Sequence, residues 1–569
     1  MAGHRIGVYV CMCGTNIANT VNVDEVVESI GKMDEVAIAR SYKYMCSNPG
    51  QEMIINDVKD LDLDRVVVAA CSPRMHEPTF RKALETAGLN PYFVEMANIR
   101  EQCSWVHDDG RAATEKATFL TRAMVEKVAR NEPLDKRSVP MSPATLVIGG
   151  GITGLTAALE LAEGDQTVYL VEREEKLGGN VARLDLTAPY LDSARDLLSE
   201  LITKATRHPH IVPMLKSNLI DMNGFIGNFT CRVRDGEGEE VDLMVGSVVV
   251  CTGYREFDAS RVKAYGYGKL PDVITSFELE SMIRQGKIRK KDGNLPQYVT
   301  LIHCVGSRSE EFHPYCSRVC CMTALKYAHE VKSAIPDSYV SDLYIDMHAF
   351  GKGCEDFYRK SSETKTMFLM YGKNSTPSVR LAGKGEDCEM FLTVQEQLSG
   401  EEIEIPTDLI VLMVGMEPRE DSEQVARLVN ISRDKDGWFI ESHPKLDPVA
   451  TTTDGVYIAG ACQSPKDIPD SVAQARAAAA RILAHISQGE IWTDAVYAEI
   501  DGDLCSGCRI CNELCPYSAI EFDEEKKKSS IISAVCKACG ACVAACPSGA
   551  IKARHFTDEQ IFAQLEGVL

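Results

Sequence analysis

Short, nearly continuous apolar runs alternate with amphipathic stretches along the first 130 residues. RIGVYV, EVAIARSYKY, DRVVVAA and PYFVEMAN read as strands, while VDEVVESIGKM, QEMIINDVKDL, TFRKALETAG and the long AATEKATFLTRAMVEKVAR read as helices. Such alternation predicts a parallel sheet with crossover helices. The same rhythm resumes further on: a strand at Thr145–Ile148, a glycine loop, a helix to about Ala162 and a second strand at Thr167–Glu172. SVVVCTGY (Ser247–Tyr254) and LIVLMVGMEP (Leu409–Pro418) read as the strand-to-glycine closures of two such domains. Between them, YVTLI (Tyr298–Ile302), MTALKYAHEVKSA and DLYIDMHAF keep the order strand, helix, strand. The fold class is α/β. A single core seldom grows past about 250–300 residues, so 569 residues call for several domains. The expected boundaries are 1–135, 143–255 with 408–490, 256–407 and 495–569.

Charge and composition narrow the setting. With 83 acidic against 61 basic residues and a net charge of −22, nucleic acid and anionic membrane are disfavoured as partners. The sequence has no apolar run long enough for a transmembrane helix, and MAGHRIGVYVCMCG does not read as a signal peptide; a cytoplasmic location is expected. Cytoplasmic thiols stay reduced, so 22 cysteines point to metal ligation and their spacings decide.

CSGCRICNELCP and CKACGACVAACP each follow C-x2-C-x2-C-x3-C-P. In two-cluster ferredoxins the fourth cysteine of each run closes the other cluster. Cys505, Cys508, Cys511 and Cys546 are therefore expected to hold one 4Fe-4S cube, and Cys536, Cys539, Cys542 and Cys515 the other. Zinc, the alternative, needs four ligands in all and leaves half of them unexplained. The end of the chain is expected to be an α+β double-cluster ferredoxin domain.

Gly149, Gly151 and Gly154 follow a strand and open a helix, and Glu172 stands 23 residues beyond Gly149. That context matches a dinucleotide-binding fingerprint, with the acidic residue placed for ribose hydroxyls and the helix N-terminus for pyrophosphate. Glu172 disfavours a 2′-phosphate, which leaves FAD and NAD; the EKLGGN segment, with Gly178, Gly179 and Asn180, favours FAD, and Arg173 is a further candidate cofactor-binding residue. Gly253 marks the first closure. TTTDGVYIAGACQSPKDIPDSVAQARAAAARI resembles the second FAD motif, with Ala461 after Gly460 where aspartate is usual, so a backbone amide near Gly460 or Cys462 is expected to replace it. Lys466 and Asp467 fall where the chain should pass the isoalloxazine. Lys466 either tunes the flavin as a charged neighbour or is a solvated surface lysine.

Where a second glycine loop for a pyridine nucleotide would follow YVTLI, the chain instead places Cys304, Cys316, Cys320 and Cys321. Thiols replace phosphate-binding amides, so no NAD(P)H site is expected and an iron-sulfur cluster is. Buried free cysteines, with a redox disulfide among them, are the alternative. In the N-terminal region Cys11 and Cys13 follow the first strand, Cys46 the second, Cys71 the third and Cys103 comes after the fourth. Carboxyl ends of parallel strands share one edge, so a further cluster is expected on Cys46, Cys71 and Cys103 with one of Cys11 and Cys13. The remaining five, Cys231, Cys251, Cys354, Cys388 and Cys462, read as core residues.

With GVYVCMCGTNIANTVNV, YKYMCSNPGQ, VVVAACSPRMHEPTFRKALETAGLNPY, EMANIREQCSWVH, GGGITGLTAALELA, CVGSRSEEFHPYCSRVCCMTALKYA and the double ferredoxin tail, the chain resembles the heterodisulfide reductase A-subunit family of methanogens and related anaerobes, nearly end to end. The resemblance implies FAD on a thioredoxin-reductase-like fold and four 4Fe-4S clusters: one N-terminal, one on Cys304, Cys316, Cys320 and Cys321, and two in the tail. It implies flavin-based electron bifurcation between a two-electron donor, low-potential ferredoxin and a disulfide-type acceptor. The implied partners are B and C-like subunits, a hydrogenase or formate dehydrogenase module with an iron-sulfur adaptor, and a homodimer within the complex. Many members carry a further ferredoxin insertion after the GGN region, whereas VARLDLTAPYLDSARDLLSELI here has no cysteine, which marks a short form. Two other readings stand beside it: a non-bifurcating flavin and cluster wire of the sulfate-reduction kind, and a redox-responsive scaffold.

Overall fold

The computed structural model describes residues 3–383, 385–386 and 388–569. The chain divides into two compact units, residues up to Val139 together with Trp492–Leu569, and Pro140–Ile491. The first unit thus unites the expected N-terminal and ferredoxin domains, and the second holds both halves of the flavoprotein core.

The first unit begins with β1 (Ile6–Cys11), α1 (Val23–Ile30), β2 (Val36–Tyr42), α2 (Asn48–Asp60), β3 (Arg65–Ala70), α3 (Pro73–Ala87), β4 (Val94–Asn98) and α4 (Gly110–Val128). The strands form a parallel sheet in the order β2-β1-β3-β4. β1 and β3, the two central strands, are buried along their whole length, as their unbroken apolar sequences require. Every strand ends on the same edge, which brings the cysteine-bearing loops together.

In the second unit, β5 (Ala144–Ile148), α5 (Ile152–Glu163), β6 (Thr167–Val171), α6 (Ala194–Arg207), β7 (Ile211–Met214) and β8 (Ser247–Val250) build the first dinucleotide-type domain. The second has β9 (Val273–Thr275), α7 (Ser276–Arg284), β10 (Tyr298–Val305), α8 (Cys320–Ala334), β11 (Tyr339–Tyr344), α9 (Cys354–Glu363), β12 (Met367–Met370) and β13 (Leu409–Val414). The chain then returns to the first domain with β14 (Val456–Ile458) and α10 (Ile468–Ile486). The two parallel sheets have the orders β7-β6-β5-β8-β14 and β9-β13-β10-β11-β12. Each domain also carries a three-stranded antiparallel ribbon.

β10 runs three residues past the expected end at Ile302, and its pairing with β13 slips between Ile302 and Val305. The bulge holds His303 and Cys304, with Cys304 at φ +57, a conformation that a non-glycine residue adopts at a cost.

Back in the first unit, the ferredoxin part comprises β15 (Ala498–Ile500), α11 (Ile510–Leu514), β16 (Ile520–Asp523), β17 (Lys528–Ile531), α12 (Ala541–Ala545), β18 (Ile551–Ala553) and α13 (Asp558–Val568). Its small core mixes Ala498, Ile520 and Ile551 with Cys511 and Cys542. α13 lies on α4 so closely that a Cβ at Gly567 would meet the Ala123 Cα at 2.8 Å. Beneath it, Glu95 Oε1 stands 2.6 Å from Lys127 Nζ and 2.9 Å from His555 Nε2, and accepts a hydrogen bond from Asn131. Burial pushes the Glu95 carboxyl up, but His555 and Lys127 outweigh it and hold it at about 2. Among the described residues, no helix is long and apolar enough to cross a membrane.

Candidate flavin and iron-sulfur sites

Between β5 and α5 the backbone is shaped by glycine. Gly149 has φ +108, and a Cβ at Gly154 would lie 1.8 Å from the Gly149 carbonyl oxygen. The loop opens into a cavity of about 1600 Å³, bounded by residues that include Gly151, Glu172, Gly179, Asn180, Gly253 and Ala461. FAD fits this donor set: a largely apolar trough with a glycine loop, a helix N-terminus at each side and the Glu172 carboxylate at the end of β6.

Details differ from the expectation. Both Glu172 carboxylate oxygens already accept backbone hydrogen bonds, from Gly150 at 2.7 Å and Glu174 at 2.9 Å, so ribose hydroxyls would use their remaining lone pairs. Arg173 lines the cavity and pairs with Asp421 at 2.9 Å. The Gly460 amide donates to Gln474 at 2.7 Å and Gly460 lies behind the wall, whereas Ala461 lines the cavity beside the α10 N-terminus, where Pro469 has no N–H and the Asp470 amide donates to the Asp467 N-cap at 2.8 Å. Gly178 bonds back to the Gly150 carbonyl, and Asn180 donates to that of Tyr254. Lys466 lines the cavity, half-buried, donating to Gln463 and Ser464; burial lowers its pKa, and it is no solvated surface charge.

The cysteine loop abuts the same cavity. Ser317 accepts from the Met416 amide, and Tyr315 donates to the Met416 carbonyl, pinning the loop to the end of β13. Cys304, Cys316, Cys320 and Cys321 sit close enough to act on one another: burial pushes the Cys304 thiol up to about 12, and the charges of Cys321 and Cys316 add to this. Cys320 is likewise raised by burial, then by Cys304, Cys321 and Cys316. Four thiolates cannot share a dry pocket without cations, so the group suits an iron-sulfur cluster. Adjacent helical residues point about 100° apart. Accordingly Cys320 lines the flavin cavity, whereas Cys321 faces the Asp346 carbonyl at 3.5 Å. Arg318 donates its amide to Cys316 Sγ at 3.3 Å and pairs with Asp470 of α10 at 2.6 Å, joining the cysteine loop to the helix beside Lys466.

One group escaped the sequence reading. Lys326, on the same helix as Cys320, lines the cavity and is 3% exposed, with its Nζ 2.7 Å from Glu280 Oε2 and 3.7 Å from Glu330 Oε2. The only hint in the sequence is a lysine among apolar neighbours in MTALKYA. His303 and Asp342, both fully buried, stand 2.6 Å apart as a second such pair.

At the carboxyl edge of the first sheet, Cys11, Cys13, Cys46 and Cys71 converge. Burial raises Cys11, with Cys13 and Cys46 adding, and raises Cys71 to about 11, with Cys11 and Cys46 adding. Cys103 does not join them: buried in the turn Arg100–Ser104, it donates its thiol to the Ala113 carbonyl of α4 at 3.0 Å. The geometry therefore favours both Cys11 and Cys13 over a set that includes Cys103. In the ferredoxin part, Cys505, Cys508, Cys511 and Cys546 line one small cavity. Cys542 is raised to about 11 by burial and then by Cys536, Cys515 and Cys539, its expected partners. Amides of Ala498 and Ala519 donate to Cys536 and Cys515. Among the described residues, no three His, Cys, Asp or Glu groups close around a single-ion position. Of the five cysteines read as core, Cys231, Cys251 and Cys462 are buried; Cys354 and Cys388 are not, and Cys354 lines the flavin cavity.

Family models match at two places: a 4Fe-4S dicluster domain over residues 497–547 and an NAD(P)-binding Rossmann-like domain over residues 147–211. Together with the dinucleotide cradle and the thiol groups, they define an iron-sulfur flavoprotein oxidoreductase. The second iron-sulfur A-subunit of CoB–CoM heterodisulfide reductase from Methanopyrus kandleri is 40% identical over 648 aligned positions, covering 99% of this chain and 98% of that protein. The A-subunit of the H2:CoB-CoM heterodisulfide,ferredoxin reductase of Methanothermobacter thermautotrophicus is 40% identical, covering 99% and 97%. The chain belongs to the heterodisulfide reductase A-subunit family. Those alignments exceed its 569 residues, so the relatives carry residues that this chain lacks. A thioredoxin reductase from T. acidophilum is similar over 61% of this chain and all of its own, at 17% identity and a TM-score of 0.41.

Proposed function

We propose that this chain is the flavin-bearing component of a heterodisulfide-reductase-like complex, at which electron pairs are divided into, or assembled from, single electrons. One observation carries the reading: the cysteine group that replaces the second nucleotide loop meets the flavin cavity through Cys320. Bound FAD supplies two-electron chemistry there, and a cluster on Cys304, Cys316, Cys320 and Cys321 takes electrons singly. Arg318 and Asp470 keep the two sites in register, and Lys466 and Lys326 place positive charge at the cavity wall. Further clusters are assigned to Cys11, Cys13, Cys46 and Cys71, and to the two ferredoxin sets. The branches run to low-potential ferredoxin and to a disulfide-type acceptor, with B and C-like subunits and a hydrogenase or formate dehydrogenase module as partners.

Anaerobic iron and flavin analysis tests this. Four cubes require about sixteen irons per chain, with one FAD; little iron returns the chain to the scaffold reading. A non-bifurcating wire is favoured by one observation, the residues present in the relatives and absent here. A single route through the flavin would then serve one acceptor.

A further inference from the structure

The buried charges behind the cavity do not balance. Lys326 on α8 and Glu280 on α7 form a pair that is 3% and 0% exposed. Glu280 is well supplied, since its other oxygen also accepts from the Asp185 amide. Glu330, one helical turn beyond Lys326, is buried to 8% exposure, and neither of its oxygens has a hydrogen-bond partner. Two carboxylates therefore face one ammonium in a dry site, where a second uncompensated negative charge is costly. The cheaper state puts a proton on the carboxylate with fewer donors.

We propose that Glu330 is a positioning residue that stores a proton for the flavin cavity and exchanges it with Lys326. The inference rests on the reading that FAD occupies the cavity; each pair of electrons entering FAD is accompanied by uptake of a proton. Lys326 Nζ releases a proton to the cavity and Glu330 Oε restores it, leaving Glu330 and Glu280 both ionised beside one ammonium, the costlier state that draws the proton back on reoxidation. On reoxidation the proton returns through the same two atoms, so none is lost, and the electrons come from the two-electron donor of the complex. The Lys326–Glu330 separation of 3.7 Å exceeds a hydrogen bond and is closed by a side-chain rotation or one water. The groups acting on Glu330 are Lys326 of its own helix, Glu280 of α7 and Asp185 of the segment between β6 and α6. Tyr327, which also feels Glu330, is kept neutral by burial and donates its hydroxyl to the Ser276 carbonyl. Burial pushes the Glu330 carboxyl up and Lys326 only partly offsets it, so it titrates at about 7, where a proton store must.

The test uses the full chain with its cofactors. The midpoint potential of the flavin is measured against pH in wild type, Glu330→Gln and Glu330→Asp, with flavin content checked in each. The expected result is a break in slope at about pH 7 in wild type, absent in Glu330→Gln and retained, at a shifted pH, in Glu330→Asp. The rate of flavin reduction in Glu330→Gln is expected to fall at least about tenfold below that pH, the low end of what a positioned acid contributes. Infrared titration of the oxidised protein with its cofactors gives a second readout: a protonated-carboxyl band that fades through the same pH and is missing in Glu330→Gln. A break and band that persist in Glu330→Gln, or a wild type with neither, overturn the inference alone. A wild type that binds no FAD overturns the functional reading, and this inference with it.

Discussion

Replacing Glu95 by glutamine removes the charge on which Lys127 and His555 converge beneath α13, at nearly constant volume. Its cost can be worked in two ways. The carboxyl is held at about 2 against an ordinary 4.5, which at 1.36 kcal/mol per pH unit favours the folded, ionised state by about 3 kcal/mol. Stranding one member of a buried pair costs about 3–5 kcal/mol, and Lys127, 3% exposed, would be so stranded. About 3 kcal/mol is a factor of more than 100 in an opening equilibrium. Unfolding of the whole chain is a poor assay, because two units need not melt as one transition. Hydrogen exchange resolves α13 itself: its amides should exchange about 100-fold faster in Glu95→Gln, with α1 little changed. Because the folded pKa is depressed, the wild-type contribution is complete above the ordinary carboxyl range and is lost as pH falls toward 2, so acid should erase the difference between the two proteins. Unchanged α13 exchange near neutral pH would refute the claim that this cluster fastens the C-terminal helix to α4.

Gly154→Ala should abolish FAD binding, since the added methyl has no room beside the Gly149 carbonyl; a purified protein that keeps its flavin absorbance would contradict the loop assignment. Cys316→Ala should remove one cluster signal from the electron paramagnetic resonance spectrum with FAD still bound, and an identical spectrum would remove the cluster from the cysteine loop. Cys46→Ala should empty the N-terminal cluster while Cys103→Ala leaves it filled, because the Cys103 thiol is spent on Ala113; the opposite pattern, read by iron content, would restore Cys103 as a ligand.

What was legible in the sequence is what lies close together along it. The ferredoxin runs, the Gly149–Gly154 loop with Glu172, and the crowding of Cys316, Cys320 and Cys321 are short-range patterns, and periodicity placed the strands and helices around them. Direction was harder to read. Cys103 follows β4 as expected, but the tight turn Arg100–Ser104 aims its thiol at α4 instead of the sheet edge. Cys304 belongs to the same group as Cys316, yet the bulge in β10 that turns it there has no marker in the sequence. Buried charge pairs were invisible for a related reason: Lys326 meets Glu280 and Glu95 meets His555 only after long stretches of chain have folded between them. The units followed the same rule, since α13 joins α4 through contacts that no local composition announces.

Coupling between the two branches is what distinguishes division of electron pairs from simple transfer. The chain is assembled with its B and C-like partners and an electron-pair donor, and ferredoxin reduction is followed with and without the high-potential disulfide acceptor. Division of electron pairs at the flavin predicts that ferredoxin is reduced only when the disulfide is reduced in step, one branch drawing the other. Full-rate reduction of either acceptor alone would contradict it and leave a simple flavin and cluster wire.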